Sequence, residues 1–273
     1  MSANESNAGV TTSVAGSAEH DRASFNPEHF ARLFRLEARS FWFRGRSDLI
    51  EWALARYFPS ARDLLEIGCG TGYVLERLHR AFPNLALSGT ELYAEGLVYA
   101  RERLGDAASL QQADATELGL HEAFDVIGAF DVIEHIEDDR RVLANLNAAL
   151  RPGGGVLLTV PQHAWMWSAT DVAACHVRRY SRRELREKLV EAGFEVLRMT
   201  SFVSFLLPAM WLARLRKREG MAEVEAELDL PDLANSIGHA TAQLESLLIR
   251  HGVDLPAGGS LLAVARKRRK SST

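Results

Sequence analysis

Four residues at alternating positions, Glu66, Gly68, Gly70 and Gly72 in the run LLEIGCGTG, are the part of this sequence best suited to chemistry. Glycines in a strand-to-helix turn let the backbone bend sharply and let a ligand approach without a Cβ in the way. The dinucleotide fingerprint G-x-G-x-x-G opens the same way, but its third glycine would fall at position 73, which is Tyr. A carboxylate two residues before the first glycine suits a cofactor carrying an ammonium and a sulfonium rather than a pyrophosphate. Glu91 ends the next strand, 91 − 72 = 19 residues beyond the loop, where an acidic side chain accepts hydrogen bonds from ribose hydroxyls. Asp114, after a third strand, is placed to bind an adenine amino group, with Ala115 and Thr116 lining the ring. Phe130 and Asp131 end a fourth strand at the same edge.

Two other stretches are rich in groups that bind ligands. In SFWFRGR, Trp42, Phe43, Arg44 and Arg46 combine aromatic faces, which stack on rings or sit against a cation, with guanidiniums that grip carboxylates. The alternative is an aromatic staple packing the N-terminal helices onto a sheet. Between Trp165 and Tyr180 come Trp167, Asp171, His176, Arg178 and Arg179. So many polar and aromatic groups on one loop either bind something or bind each other. One reading is a pocket for a polar or anionic small molecule, lined by Trp165, Trp167, Asp171, His176, Arg179 and Tyr180. The other is an internal network in which Asp171 pairs with His176 or an arginine. No metal is expected, because His121, His135, His163 and His176 lack a standard ligand spacing.

Alternating strands and helices position these residues. Strands are predicted at 63–68, 85–91, 109–114, 124–130, 155–161, 194–202 and 260–268. Helices are predicted at 27–39, 46–58, 73–82, 94–104, 138–150 and 181–193. Pro152-Gly153-Gly154 is a stop signal, and Ser181 an N-cap with Glu184 three residues on. Such alternation predicts an α/β fold, a mainly parallel sheet with helices on both faces. Ligands bind such sheets beyond the carboxyl ends of the strands. The chain divides into a tail over 1–24, too polar to order, a helical cap over 25–60 and a core over 61–202. A helical insertion or lid over 203–258 and a last strand with a basic tail, 259–273, complete it. Arg266–Lys270 is expected to be a solvated end.

The stretches LLEIGCGTGYV, LSGTELY, QQADATEL, FDVIGAFDVIEHIEDD and LRPGGGVLLTVP span 62–161. In order and spacing they resemble class I S-adenosylmethionine-dependent methyltransferases, particularly the small-molecule group with the ubiquinone-biosynthesis O-methyltransferases. The resemblance implies a Rossmann-like seven-stranded sheet ordered 3-2-1-4-5-7-6, its last strand antiparallel. It implies S-adenosylmethionine as cofactor, held by Glu66, Gly68, Cys69, Gly70, Gly72, Glu91, Leu92, Asp114, Ala115, Thr116, Phe130, Asp131 and Val132. It places His135 beside the transferred methyl group, as general base for a hydroxyl acceptor or, alternatively, as a helix cap or steric contact. Trp42, Phe43 and Arg44 then close over cofactor or acceptor.

Bulk properties agree with a globular enzyme. Of the 273 residues, 47% are hydrophobic and 25% charged, and the net charge of -4 gives no reason to expect a nucleic-acid partner. Two cysteines, Cys69 and Cys175, do not make a disulfide framework. With no basic-then-apolar leader in sight, a cytoplasmic setting is expected. The apolar run 201–215 is short for a bilayer and contains Pro208, so membrane contact there is not favoured. The expected partner is a small-molecule acceptor, and the chain is expected to be a monomer or homodimer. An NAD-dependent oxidoreductase and a non-catalytic binding protein are the competing readings.

Overall fold

The computed structural model describes residues 28–215 and 230–269. The expected disordered tail, Lys270 and the middle of the 203–258 segment lie outside the described residues. Seven strands form one sheet: β1 (Asp63–Ile67), β2 (Ala86–Glu91), β3 (Ser109–Gln112), β4 (Phe124–Phe130), β5 (Leu150–Pro161), β6 (Phe194–Phe202) and β7 (Ser260–Lys267). Their order is β3-β2-β1-β4-β5-β7-β6. Pairing is parallel from β3 through β5, and β7 is antiparallel to both β5 and β6. This is the expected sheet.

Two cores follow from strand alternation. Leu64, Val126, Leu157, Leu262 and Val264 point to one face, with α2 (Phe41–Tyr57), α3 (Tyr73–Ala81), α4 (Ala94–Leu104) and α9 (Asp232–Arg250). Leu65, Ile67, Ile127, Val156, Leu158 and Ala263 point to the other, with α5 (Asp139–Ala149) and α7 (Arg182–Glu191). Three further helices are α1 (Glu28–Leu36), α6 (Ala169–Ala173) and α8 (Leu207–Leu215), the last packing Met210 against the first core. Among the described residues no helix is long and apolar enough to cross a membrane.

Three local expectations are corrected. The second helix begins at Phe41, not near 46, so SFWFRGR is its first two turns. The reason is a cap supplied from far away: Asn235 Oδ1 on α9 accepts the Phe41 N–H at 2.6 Å. No local motif could announce it. Second, β5 starts at Leu150 and runs through Pro152-Gly153-Gly154. Gly153 has open space and a φ of +86°, whereas Gly154 and Gly155 answer crowding. A Cβ on Gly154 would lie 2.5 Å from the Asp125 carbonyl oxygen, and one on Gly155 2.3 Å from that of Ala265. Third, the basic end is not all solvated: Arg266 and Lys267 belong to β7 and donate to the carbonyls of Tyr57 and Leu150. The Ser181 cap matches its sequence signature, its hydroxyl accepting the Glu184 N–H.

The segment between β6 and β7 is docked onto the N-terminal cap. Small residues allow α9 to approach α2 closely. A Cβ on Gly45 would sit 3.0 Å from Ala242, and one on Gly238 2.7 Å from the Phe41 ring. Arg250 also donates to the Asp48 carbonyl on α2. Gly238→Leu is therefore expected to wedge the two helices apart. Overpacking of this kind costs about 1–3 kcal/mol, read as a lower urea midpoint at unchanged m-value. An unchanged midpoint would mean that this contact carries no stability.

Candidate active site

Alternation along β1 turns Glu66 to the same face as Leu64, beneath α2. The side chain is buried, and its Oε2 has no hydrogen-bond partner. Burial pushes its carboxyl well above the usual value of 4.5; the Arg46 guanidinium opposes this, and Glu37 and Glu91 add to it. A buried carboxylate oxygen without a partner is costly and is suited to a cationic ligand.

The loop after β1 uses its glycines for different reasons. All three have positive φ: +61° at Gly68, +53° at Gly70 and +76° at Gly72. Beyond that, a Cβ on Gly68 would strike Val132 at 2.6 Å, and one on Gly72 would strike α4 through Leu104 and Ala100. Gly70 has room: the nearest atom to its Cβ position is on the Phe30 ring, 4.0 Å off. Cys69 is buried within the turn, its N–H donating to the Thr90 carbonyl, and burial pushes its thiol up.

Glu91 closes the loop. Its two oxygens accept the N–H groups of Gly70 (2.9 Å) and Tyr93 (3.0 Å), and lone pairs remain for hydroxyl donors. Leu92 beside it is exposed. Asp114 is exposed and caps the 3-10 turn Ala115–Glu117, accepting from the backbone and hydroxyl of Thr116. Asp114, Ala115 and Thr116 thus stand together at the end of β3, with one Asp114 oxygen outside the cap.

At the end of β4 the expectations divide. The Phe130 side chain turns back into the core against Gly128, leaving only backbone for a ligand. Asp131, at φ +58°, accepts from Arg46 at 2.5 Å and from the Thr159 hydroxyl at 2.8 Å. Arg46 is buried, 4.6 Å from the centre of the Trp42 ring and 5.3 Å from that of Phe43, and its Nε has no partner. Arg44 instead meets His239 on α9 at 3.0 Å. Residues two apart on a helix face different ways. Arg46 shares the inner face with Leu49 and Ile50, a signal readable once the helix is known to start at Phe41.

Sequence reasoning also undervalued α1. Glu37, just past its end, is buried and accepts from Thr71 in the glycine loop (2.5 Å) and from Arg103 on α4 (3.0 Å). Arg103 lies over the rings of Phe34 and Tyr73. Phe30 is thereby held against Gly96, Glu91 and the open side of Gly70. Glu37 lies seven residues after Phe30 and three after Phe34, in line with the inner face of α1, where a carboxylate calls for a partner.

The loop after β5 is largely the internal network. Asp171 is fully buried. Its Oδ1 lies 2.8 Å from His176 Nδ1 and 2.7 Å from Arg179 Nε, and its Oδ2 accepts the Ser168 N–H. These contacts hold its carboxyl down at about 2, against the opposing effect of burial. Arg179 also donates to the Gln162 carbonyl. Tyr180 is corrected: it is wholly enclosed, its hydroxyl donating to Asp139, which also pairs with Lys188 and Arg178. It supports the loop rather than lining a pocket. Trp165 and Trp167 are exposed, Trp165 stacked on His163.

His135 ends the 3-10 turn Ile133–His135, and the Val177 N–H donates to the Glu134 carbonyl. This joins the turn to the loop, so that the rings of His135 and His176 meet edge-on with centres 4.7 Å apart. The two are scattered in sequence but not in space. Burial, aided by His176, lowers His135 to about 4, leaving a neutral imidazole at neutral pH.

Comparison with known proteins agrees with this geometry. A methyltransferase-domain family model matches residues 34–199. A protein of Mycolicibacterium smegmatis, named a probable S-adenosylmethionine-dependent methyltransferase, is 30% identical over 196 residues, 71% of this chain and 73% of that one. The chain belongs to the S-adenosylmethionine-dependent methyltransferases. A Paramagnetospirillum magneticum ubiquinone biosynthesis O-methyltransferase is 31% identical over 157 residues, 56% of this chain and 59% of its own. Among solved structures, a Haemonchus contortus phosphoethanolamine N-methyltransferase bound to S-adenosyl-L-methionine superposes with TM-score 0.55 at 20% identity, covering 82% of this chain and 53% of that one. The [4+2]-cyclase SpnF gives TM-score 0.54 at 23% identity, covering 82% of each chain. As an S-adenosylmethionine-dependent methyltransferase, this chain has in Glu66 and the open face of Gly70 features that fit the cofactor's ammonium and its close approach.

Glu66→Gln separates a binding role from a structural one. A charge-assisted hydrogen bond is worth about 1.5–3 kcal/mol, so S-adenosylhomocysteine affinity measured by calorimetry should fall roughly tenfold to hundredfold. A raised folded-state pKa means that the ligand-free wild type loses stability as pH rises above the usual carboxyl value of 4.5. The melting temperature of the ligand-free variant should then be no lower than wild type, its relative advantage growing with pH over that range. Normal affinity combined with lower stability would overturn the assignment.

Proposed function

We propose that the chain transfers the methyl group of S-adenosylmethionine directly to a hydroxyl of a small polar metabolite. The observation that carries this reading is His135: a neutral imidazole at the carboxyl edge of β4, beside the buried Asp131–Arg46 pair. When bound, the cofactor supplies an electrophilic methyl on a sulfonium with a neutral leaving group. Glu66 would hold its ammonium, Arg46 its carboxylate, Glu91 its ribose hydroxyls, and Asp114 with Ala115 and Thr116 its adenine. Transfer then depends chiefly on orientation, worth about 7–11 kcal/mol, and on His135 taking the hydroxyl proton. The acceptor would lie beside His135, with the exposed Trp165 and Trp167 of the loop after β5 as candidate contacts.

The anionic form of the acceptor has less support than the hydroxyl. Arg179 is engaged by Asp171, Arg178 by Glu137 and Asp139, and Arg44 by His239. Nitrogen and sulfur acceptors need less help from a base and fit His135 less well. The free cysteines suit a reducing, cytoplasmic setting. Family membership leaves the oxidoreductase reading without support.

Loss of a general base lowers turnover by about 10²–10⁴-fold. His135→Ala should do so while S-adenosylhomocysteine still binds. The acceptor itself would be found by labelling a metabolite extract with methyl-labelled cofactor and identifying the product. Wild-type turnover in the variant would refute the role of His135.

A further inference from the structure

Among the described residues, Glu134 is the one carboxylate with both oxygens buried and unpartnered. It is fully buried, and neither carboxylate oxygen has a hydrogen-bond partner. A buried carboxylate left without partners costs several kcal/mol by burial alone. One ligating atom each from Glu134, His135 and His176 lie within 4.8 Å of one another. We propose that Glu134, His135 and His176 form a binding site for a divalent transition-metal cation such as Zn2+.

The surroundings of the two imidazoles support this. A histidine that binds a metal through one nitrogen ordinarily gives its other N–H to a carboxylate or a backbone carbonyl, which fixes tautomer and ring orientation. His176 has its Nδ1 on Asp171, itself fully buried and held by Arg179 and the Ser168 N–H. That leaves Nε2 to coordinate. His135 has the backbone carbonyls of Ala174 and Cys175 as hydrogen-bond partners, so one of its nitrogens is likewise accounted for. Both supports come from the 168–176 segment, whose position relative to the turn is fixed by the Val177–Glu134 backbone bond.

Charge and donor type agree. Three carboxylates, Glu134, Asp131 and Asp171, stand near two guanidiniums, Arg46 and Arg179. One negative charge is in excess, which a dication would more than neutralise. Two imidazoles and a carboxylate suit Zn2+, Co2+ or Fe2+ rather than Mg2+ or Ca2+, which prefer oxygen alone. Bond lengths of about 2.0–2.2 Å require the three donors to draw in by roughly an ångström, within reach of side-chain rotation. Three protein ligands leave a fourth position for water or an acceptor oxygen. The inference rests on the proposed acceptor position only for that last role. Binding is independent of it, and with a cation bound His135 acts as a ligand in place of a base.

The full chain, stripped with chelator and dialysed, is titrated with Zn2+ by calorimetry against a competing chelator, and with Co2+ by visible absorption. One cation per chain and the intense d–d bands of four-coordinate Co2+ are expected. Glu134→Gln and His176→Ala should each abolish stoichiometric uptake. Asp171→Asn should weaken it by roughly tenfold to hundredfold, the usual effect of losing an outer partner. Each variant is checked for S-adenosylhomocysteine binding, which should persist. His176→Ala, on the loop, serves if Glu134→Gln fails to fold. No uptake of Zn2+ or Co2+ by wild type, or equal uptake by His176→Ala, overturns the site. Either result leaves cofactor binding, and so the methyltransferase assignment, standing.

Discussion

Carboxylates buried at the carboxyl ends of parallel strands are the constraint on which this structure turns. Glu66 ends β1, Glu91 ends β2, Glu134 follows β4, and Glu37 reaches in from above; all four are buried. Water does not solvate them, so the protein must arrange partners or accept raised pKa values. Glu91 takes backbone N–H groups from the glycine loop, and Glu37 takes Arg103 and Thr71. Glu66 and Glu134 are left with long-range help from Arg46. Two carboxylates satisfied from within and two left open is an uneven distribution. The open pair is what the cationic ligands proposed above would satisfy.

Arg46 shows how far the helices serve that constraint. Its guanidinium is fixed by Asp131 below and by Trp42 and Phe43 alongside. It reaches them only because α2 begins at Phe41, and α2 begins there because Asn235 on α9 caps it. Through Asn235, α9 therefore bears on the position of Arg46 by way of the first turn of α2. Stability follows the same route: α9 adds Ile249 to the core beneath α2, so the helices that shape the site also bury its floor.

The sequence made the sheet legible because strand periodicity and the glycine loop are local signals. Glu66, Glu91 and Asp114, proposed to hold the cofactor, lie at or just past the ends of β1, β2 and β3, where the strand pattern puts them. What was not legible depended on contacts distant along the chain. The Asn235 cap, the Glu37–Thr71 link and the crowding that selects Gly154 and Gly155 have no local pattern. Arg44 was named for a pocket from its type and its aromatic neighbours, but helix phase chose Arg46. Tyr180 was named from its loop, but its hydroxyl had a closer partner in Asp139. The histidines defeated a spacing rule for the same reason, since His135 and His176 meet through a backbone bond and not through sequence proximity.

Fold likeness does not choose the acceptor. A cyclase and a phosphoethanolamine N-methyltransferase superpose on this chain about equally well, so the chemistry must be set by what lies around the shared cofactor edge. In this chain that surrounding is divided into a rigid part and an adaptable part. Asp171 with Arg179, and Tyr180 with Asp139, form two enclosed pairs behind the loop, which the Val177–Glu134 backbone bond ties to the Glu134–His135 turn. Trp165, Trp167, Phe205 and Trp211 are exposed. Reacting groups need fixed geometry, whereas the remainder of a small molecule needs only surface and shape. On the function proposed above, the enclosed pairs would serve the chemistry common to any acceptor, and the exposed aromatic residues the selection of one acceptor over another.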